Sequence, residues 1–149
     1  MKKLLIIASL LVVFNVNATG LTGFSLKNIS ININDEDNAI GSDMENRIKR
    51  EANITMRSLS NDYKYQEQEN FINININVVR SNFAKHRFFL TLQTQEKTEL
   101  TGRLERPTHY VISNQYGKVL ITRRQSDVYA TIIDMLLTFS EDYLKQNTK

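Results

Sequence analysis

His86 and His109 are the two histidines of this chain, and they alone titrate near neutral pH without help from their surroundings. Held within about 8 Å of each other they could share a reacting group as a general acid and base. Lys85, beside the first, would supply the cation that a small secreted hydrolase or nuclease places against developing negative charge. His86 lies between Lys85 and Arg87 at a loop-to-strand junction, however, and that is the composition of a solvated basic loop. The histidine-based enzyme is therefore the alternative reading, and no catalytic residue is assigned. Asp35-Glu36-Asp37 is the one acidic cluster. It lacks the alternating ligand positions and the turn glycine of a calcium-binding EF-hand loop, and it reads as a solvated turn from strand to helix.

Other chemistries lack their residues. The chain has no cysteine, which excludes thiol catalysis, zinc–thiolate sites and iron–sulfur clusters. No Gly-x-Ser-x-Gly turn, His-Glu-x-x-His helix or phosphate loop occurs. No metal and no cofactor is expected.

Amides are the more informative polar groups. Ile29, Ile31 and Ile33 interleave with Ser30, Asn32 and Asn34, while Ile72, Ile74, Ile76 and Val78 interleave with Asn73, Asn75 and Asn77. Successive strand side chains point to opposite faces, so each segment predicts a strand with one apolar side and one amide-covered side. Thr91 and Gln93 would extend the amide surface, with Phe89 as an apolar platform among them. Asparagine offers donors and an acceptor at once, which suits sugar hydroxyls or a partner's backbone. Lysine and glutamate more commonly cover the wet side of a sheet and also discourage edge pairing. An uncharged amide face therefore makes Asn32, Asn34, Asn73, Asn75, Asn77 and Phe89 the candidate binding residues.

These residues need a sheet and something to cover its other side. Phe88, Leu90 and Leu92 alternate with Phe89, Thr91 and Gln93 in a third strand. A fourth lies within 109–122, where Asn114-Gln115-Tyr116-Gly117 could close a hairpin with Gly117 at positive φ. Residues 99–104 form a weaker candidate, and Pro107 marks a break. Ser42-Asp43-Met44-Glu45 reads as a capping box opening a helix on which Met44, Ile48, Ala52, Thr55 and Leu59 recur. A second helix begins at Ser126, with Val128, Ile132, Met135, Leu136, Phe139 and Tyr143 along one stripe. The expected fold is α+β: a two-layer sandwich in the order β-α-β-β-β-α. It has one mainly antiparallel four- or five-stranded sheet with two helices on one face.

Residues 1–18 read as a secretory signal peptide. Lys2-Lys3 form its basic start, an apolar run follows to Phe14, and Val16-Asn17-Ala18 supply a cleavage site. The run is too short to span a bilayer comfortably. Residues 19–149 then form a single domain without a transmembrane segment, periplasmic or secreted, with the periplasm of a bacterium preferred. Loss of Lys2 and Lys3 lowers the formal charge from +3 to +1, far from the cationic field of a nucleic-acid binder. Asn28-Ile29-Ser30 and Asn53-Ile54-Thr55 match the glycosylation pattern, as chance permits in an asparagine-rich chain.

The helix-on-sheet order is similar in outline to that of the lipopolysaccharide-assembly lipoprotein seated inside its outer-membrane barrel. The likeness is one of topology, carried by no shared motif, and the lipid-bearing cysteine of that family is missing. The reading that absorbs most of these features is a non-catalytic binding or assembly factor of the bacterial envelope. It would engage another envelope protein or a glycan through its sheet face or a strand edge. A secreted effector or inhibitor is the further alternative.

Overall fold

The computed structural model describes residues 13–15, 21, 26, 29–60, 72–83, 86–99 and 108–147. For 13–15, 29, 72–74, 96–99 and 108–114 it describes the backbone only. The elements are β1 (Val13–Asn15), β2 (Ile29–Asn34), α1 (Ser42–Leu59), β3 (Ile72–Arg80), β4 (Arg87–Glu99), β5 (Thr108–Ile121) and α2 (Gln125–Asn147). From β2 onward this is the expected β-α-β-β-β-α order of an α+β fold.

The sheet is ordered β1-β5-β4-β3-β2. A helix between β2 and β3 returns the chain to the end from which it started, so these two strands pair in parallel. Short or moderate connections leave the pairs β3–β4 and β4–β5 antiparallel, and the sheet is mixed but mostly antiparallel. β1 falls within the segment read as a leader. Its residues Val13, Phe14 and Asn15 stand opposite Lys118, Gly117 and Tyr116 along the outer edge of β5. Residues 1–12 and 16–18 of that segment lie outside the described residues.

Period-two alternation decides which side chains meet the helices. Ile31, Ile76, Val78, Phe88, Leu90 and Leu92 are buried, together with Thr94 and Tyr116. α1 contributes Ile48, Ala52 and Met56, and α2 contributes Val128, Ile132, Met135, Leu136 and Phe139. Phe139 sits at the centre, edge-on to Tyr116 with ring centroids 6.3 Å apart and stacked on Tyr143 at 6.4 Å. Polar ties fasten α2 to β5 at the margin of this core. The Tyr116 hydroxyl donates to Asp142 Oδ2 at 3.1 Å, and Lys118 pairs with Asp134. Leu21, itself fully buried, is bracketed by the end of α2. Its amide donates to Gln146 Oε1 at 3.2 Å, and its carbonyl accepts from Asn147 Nδ2 at 2.8 Å.

Three local expectations are corrected. The capping box does not form: the N-cap of α1 is Gly41, at φ 75°, and no side chain caps the helix. Glycine takes that backbone conformation without steric strain. The carboxylate that serves this region is Asp35, which accepts from the amides of Ala39 and Ile40 at 2.7 and 2.9 Å. The hairpin at Asn114–Gly117 does not form either. β5 runs unbroken through these residues because each of them pairs with β4, and the single irregularity is an extra residue on β5, Ser113, between the pairs Thr94–Asn114 and Gln95–Ile112. Finally, α2 begins at Gln125, one residue before the expected Ser126. The strand candidate at 99–104 is occupied at its first residue by the end of β4, and the remainder, with Pro107, lies outside the described residues.

Phe139 fills the space between sheet and helix, so Phe139→Ala leaves a cavity that the two rings around it close only partly. Urea unfolding is expected to show a loss of about 3–5 kcal/mol. Tyr143 gives a pH signature. Desolvation by burial raises its hydroxyl above the ordinary value of 10.0. Below that value the phenol is neutral in both states and contributes no pH dependence. Above it the unfolded chain loses the proton first, so stability falls as pH rises until the folded protein ionises too. Tyr143→Phe is expected to flatten that alkaline decline in urea midpoints and to leave the neutral-pH slope unchanged.

Candidate functional site

Both helices lie on one side of the sheet, which leaves the alternate side chains of four strands on the other. Register then sets what stands beside what. Asn32 is opposite Asn75, Asn75 opposite Gln93, and Gln93 opposite Gln115, one residue from each strand β2 to β5. The next row along is Asn34, Asn77, Thr91 and Gly117. The two asparagine segments therefore form one surface. Asn73 pairs with Ser30 in the same register, although its side chain lies outside the described residues.

The amides are tied to each other across the strands. Asn34 Nδ2 donates to Asn77 Oδ1 at 2.7 Å, and Asn77 Nδ2 passes the chain on to the Thr91 hydroxyl at 2.9 Å. In the neighbouring row Asn32 Nδ2 donates to Asn75 Oδ1 and to the Ser30 hydroxyl, both at 3.3 Å. Gln93 Nε2 donates to Gln115 Oε1 at 3.2 Å. Each primary amide carries two donors and an acceptor with two lone pairs, so a single bond in the ladder leaves hydrogen-bonding capacity over. Asn32 and Asn34 are exposed and Asn75 and Asn77 half-buried. The result is a pre-oriented set of uncharged donors and acceptors at the inter-strand spacing of about 4.8 Å.

Apolar groups border the amides. Val79, Phe89 and Val119 form the next row toward the β3–β4 turn, and the Phe89 ring is 43% exposed. Between Phe89 and Gln115 a shallow groove of about 290 Å³ opens, lined also by Thr91, Gly117 and Val119. Gly117 makes this groove. A Cβ built there would meet nothing within 4 Å, so the absent side chain is the space itself. A second cleft, of about 460 Å³, lies at the start of α1 among Asn38, Ser42, Asp43, Arg47 and Gln125. It is lined by the first turns of the two helices and the loop before α1, and it includes no residue of the amide face.

The histidines do not meet. His86 is exposed in the β3–β4 turn, where its carbonyl accepts from the Thr122 amide at 2.7 Å. His109 pairs with Thr98 at the other end of the same strand pair. The 13 residues of β4 separate them, about 40 Å at the usual strand rise. Lys85 lies outside the described residues. Asp35 spends both carboxylate oxygens on backbone amides and does the work of a turn. Among the described residues no group of three or more His, Asp or Glu side chains is gathered as a metal site.

Sequence reasoning named most of this face but missed two contributors. Gln115 and Gly117 sit in a tetrad of turn composition, and only the pairing of β5 with β4 reveals that they complete the rows.

No family model matches the chain, and no curated protein matches it. Among solved structures it is similar to the PelC dodecamer from Paraburkholderia phytofirmans, at 11% identity and a TM-score of 0.41 in one crystal form. A methionine-substituted variant in a second form gives 12% identity and 0.39. In both, the match covers 95% of this chain and 99% of the other. A likeness at this level identifies no family and carries no functional argument.

Proposed function

We propose that this protein is an exported, non-catalytic binding or assembly factor of the bacterial envelope, and that the open sheet face is its working surface. The observation that carries the reading is the in-register continuity of Asn32–Asn75–Gln93–Gln115 and Asn34–Asn77–Thr91–Gly117 across four strands. The amides of these rows are bonded to one another or to Thr91, so little conformational freedom remains to be lost when a ligand replaces water. No charged residue interrupts either row, which favours a neutral partner rich in hydroxyls or peptide groups. A glycan laid across the strands would find amides for its hydroxyls and the Phe89 ring for an apolar sugar face. A protein segment would use the same groups through its backbone.

Photoreactive residues at Asn32, Asn75 and Phe89, activated in living cells and followed by mass spectrometry, test this directly. One envelope protein or one glycan should be captured at all three positions. Adding Asn75→Lys sets a charge in the middle of a neutral row and should weaken capture by about tenfold or more, because the ammonium must be desolvated without a partner. Its circular dichroism should match the parent, and melting should fall by only the few degrees that loss of the Asn32–Asn75 bond costs, since the side chain stands on the open face. Capture confined to the helices or to the outer edge of β2 would remove the face from the mechanism.

A further inference from the structure

One end of the sheet differs in character from the amide rows. The β3–β4 turn, closed by the Ser81 amide on the Arg87 carbonyl at 2.9 Å, meets the β5–α2 loop there through the Thr122 amide on the His86 carbonyl. Phe83 stands at the tip of the turn with a relative exposure of 103%, so its ring touches essentially nothing of the folded protein. Ile121, Val79 and Phe89 are also exposed and continue an apolar strip away from the tip. An aromatic ring held wholly in water at a turn, next to further exposed apolar side chains, marks a surface that is covered in use.

Cations surround this strip. Arg87, Arg123 and Arg124 are exposed, whereas Arg80 belongs to the helix-covered side, where its guanidinium lies over the buried Phe88 ring at 5.4 Å from the centroid. The segments that build this end carry no acid: no Asp or Glu occurs between Glu69 and Glu96, or between Glu105 and Asp127. Asp127 itself is turned onto the Thr122 hydroxyl. The acidic loop at the same end, Asp35-Glu36-Asp37, follows β2 on the opposite edge of the sheet. The loop does not stay at that edge: the Ala39 carbonyl accepts from Gln125 Nε2 at 2.9 Å, next to Arg124. Asp35 is taken up by the amides of Ala39 and Ile40, so the exposed Glu36 and Asp37 face the exposed Arg87, Arg123 and Arg124, and cations remain in excess at this end.

We propose that this end of the sheet docks on an anionic lipid bilayer, with Phe83 entering the headgroup boundary and Arg87, Arg123 and Arg124 pairing with lipid phosphates. Both halves of the observation are needed for this partner. A soluble polyanion or an acidic protein would use the arginines and leave the Phe83 ring in water. A neutral apolar partner would use the ring and leave the arginines unmatched. A bilayer surface presents the anions and the apolar layer a few ångströms apart, which is the spacing that a ring at a tip and guanidinium groups behind it can satisfy together. No helix among the described residues is long and apolar enough to cross a membrane, so the contact is one of lying on the surface.

The test is cosedimentation of the protein, purified from cells expressing the full chain, with vesicles of phosphatidylethanolamine and phosphatidylglycerol and with vesicles of phosphatidylcholine alone. Binding should be confined to the anionic vesicles and should weaken as salt is raised. Replacing Arg123 and Arg124 together by Gln should reduce it roughly 25-fold, at about fivefold for each surface cation removed. Phe83→Ser should weaken binding at every salt concentration, since it removes the apolar part. All three side chains are exposed, so unchanged melting curves certify that the variants fold. Equal binding to neutral vesicles, no binding to either kind, or binding indifferent to the arginine and Phe83 changes would each overturn the proposal. Retention by an acidic protein column without vesicle binding would overturn it as well, in favour of a protein partner.

Discussion

The parallel register between β2 and β3 governs the rest of the molecule. It pairs isoleucine with isoleucine and Ser30, Asn32 and Asn34 with Asn73, Asn75 and Asn77, position by position. A slip of one residue would turn every amide of β2 into the helix-covered side and every isoleucine into water. A buried amide without a partner costs about 1–3 kcal/mol, and an exposed isoleucine forfeits about 1.5–3 kcal/mol of burial, so the slipped state is excluded several times over. With β2 and β3 locked, β4 must present Leu90 and Leu92 to the helices and Thr91 and Gln93 to the open side. β5 follows by continuous pairing.

Asparagine is a poor strand former, and the chain uses it in strands repeatedly. The ladder explains how this is sustained. Cross-strand side-chain bonds of about 0.2–1 kcal/mol each recur at Asn32–Asn75, Asn34–Asn77 and Gln93–Gln115, which offsets the unfavourable propensity while leaving the surface uncharged. Lysine in the same places would have protected the edges and given up the neutrality. The outer edge of β2 therefore has no cationic side chain in its own sequence, from Ile29 to Asn34, to deter another strand. A face kept neutral at that risk is easier to understand as a binding surface than as mere solvent cover.

Local periodicity makes the sandwich, its two helices and the amide face readable from the sequence, because alternation and the helical repeat are set within a few residues. Features that depend on distant partners were not readable. Asn114-Gln115-Tyr116-Gly117 has turn composition, yet β4 supplies a partner for every one of these residues, and pairing overrides propensity. Gly117 then takes an ordinary strand conformation, and its missing side chain leaves the groove beside Phe89 open. The capping box at Ser42 failed for a related reason: Gly41 and Asp35 organise the approach to α1, and the signal for that lies upstream of the helix. The two histidines were indistinguishable from a pair until the length of β4 placed them at opposite ends. Arg123-Arg124 is a two-residue cluster in the sequence and gains a context only from the fold, which sets it beside the turn that carries Phe83.

The amide face and the basic end share a border, and that border constrains both. Val79, Phe89 and Val119 form the row that lies between Asn77–Thr91–Gly117 and the turn. With the turn against a lipid surface, the strands rise away from it and the amide rows begin one row above the apolar strip. A ligand on the open face would then enter beside the bilayer at Phe89 and leave along Gln93 and Gln115, away from it. Phe89 would touch both environments, as a ring with one edge toward lipid and one face toward the amides. Its substitution by a small polar residue should therefore disturb ligand capture and membrane attachment together, whereas Asn75 and Arg123, one on each side of the border, should separate them.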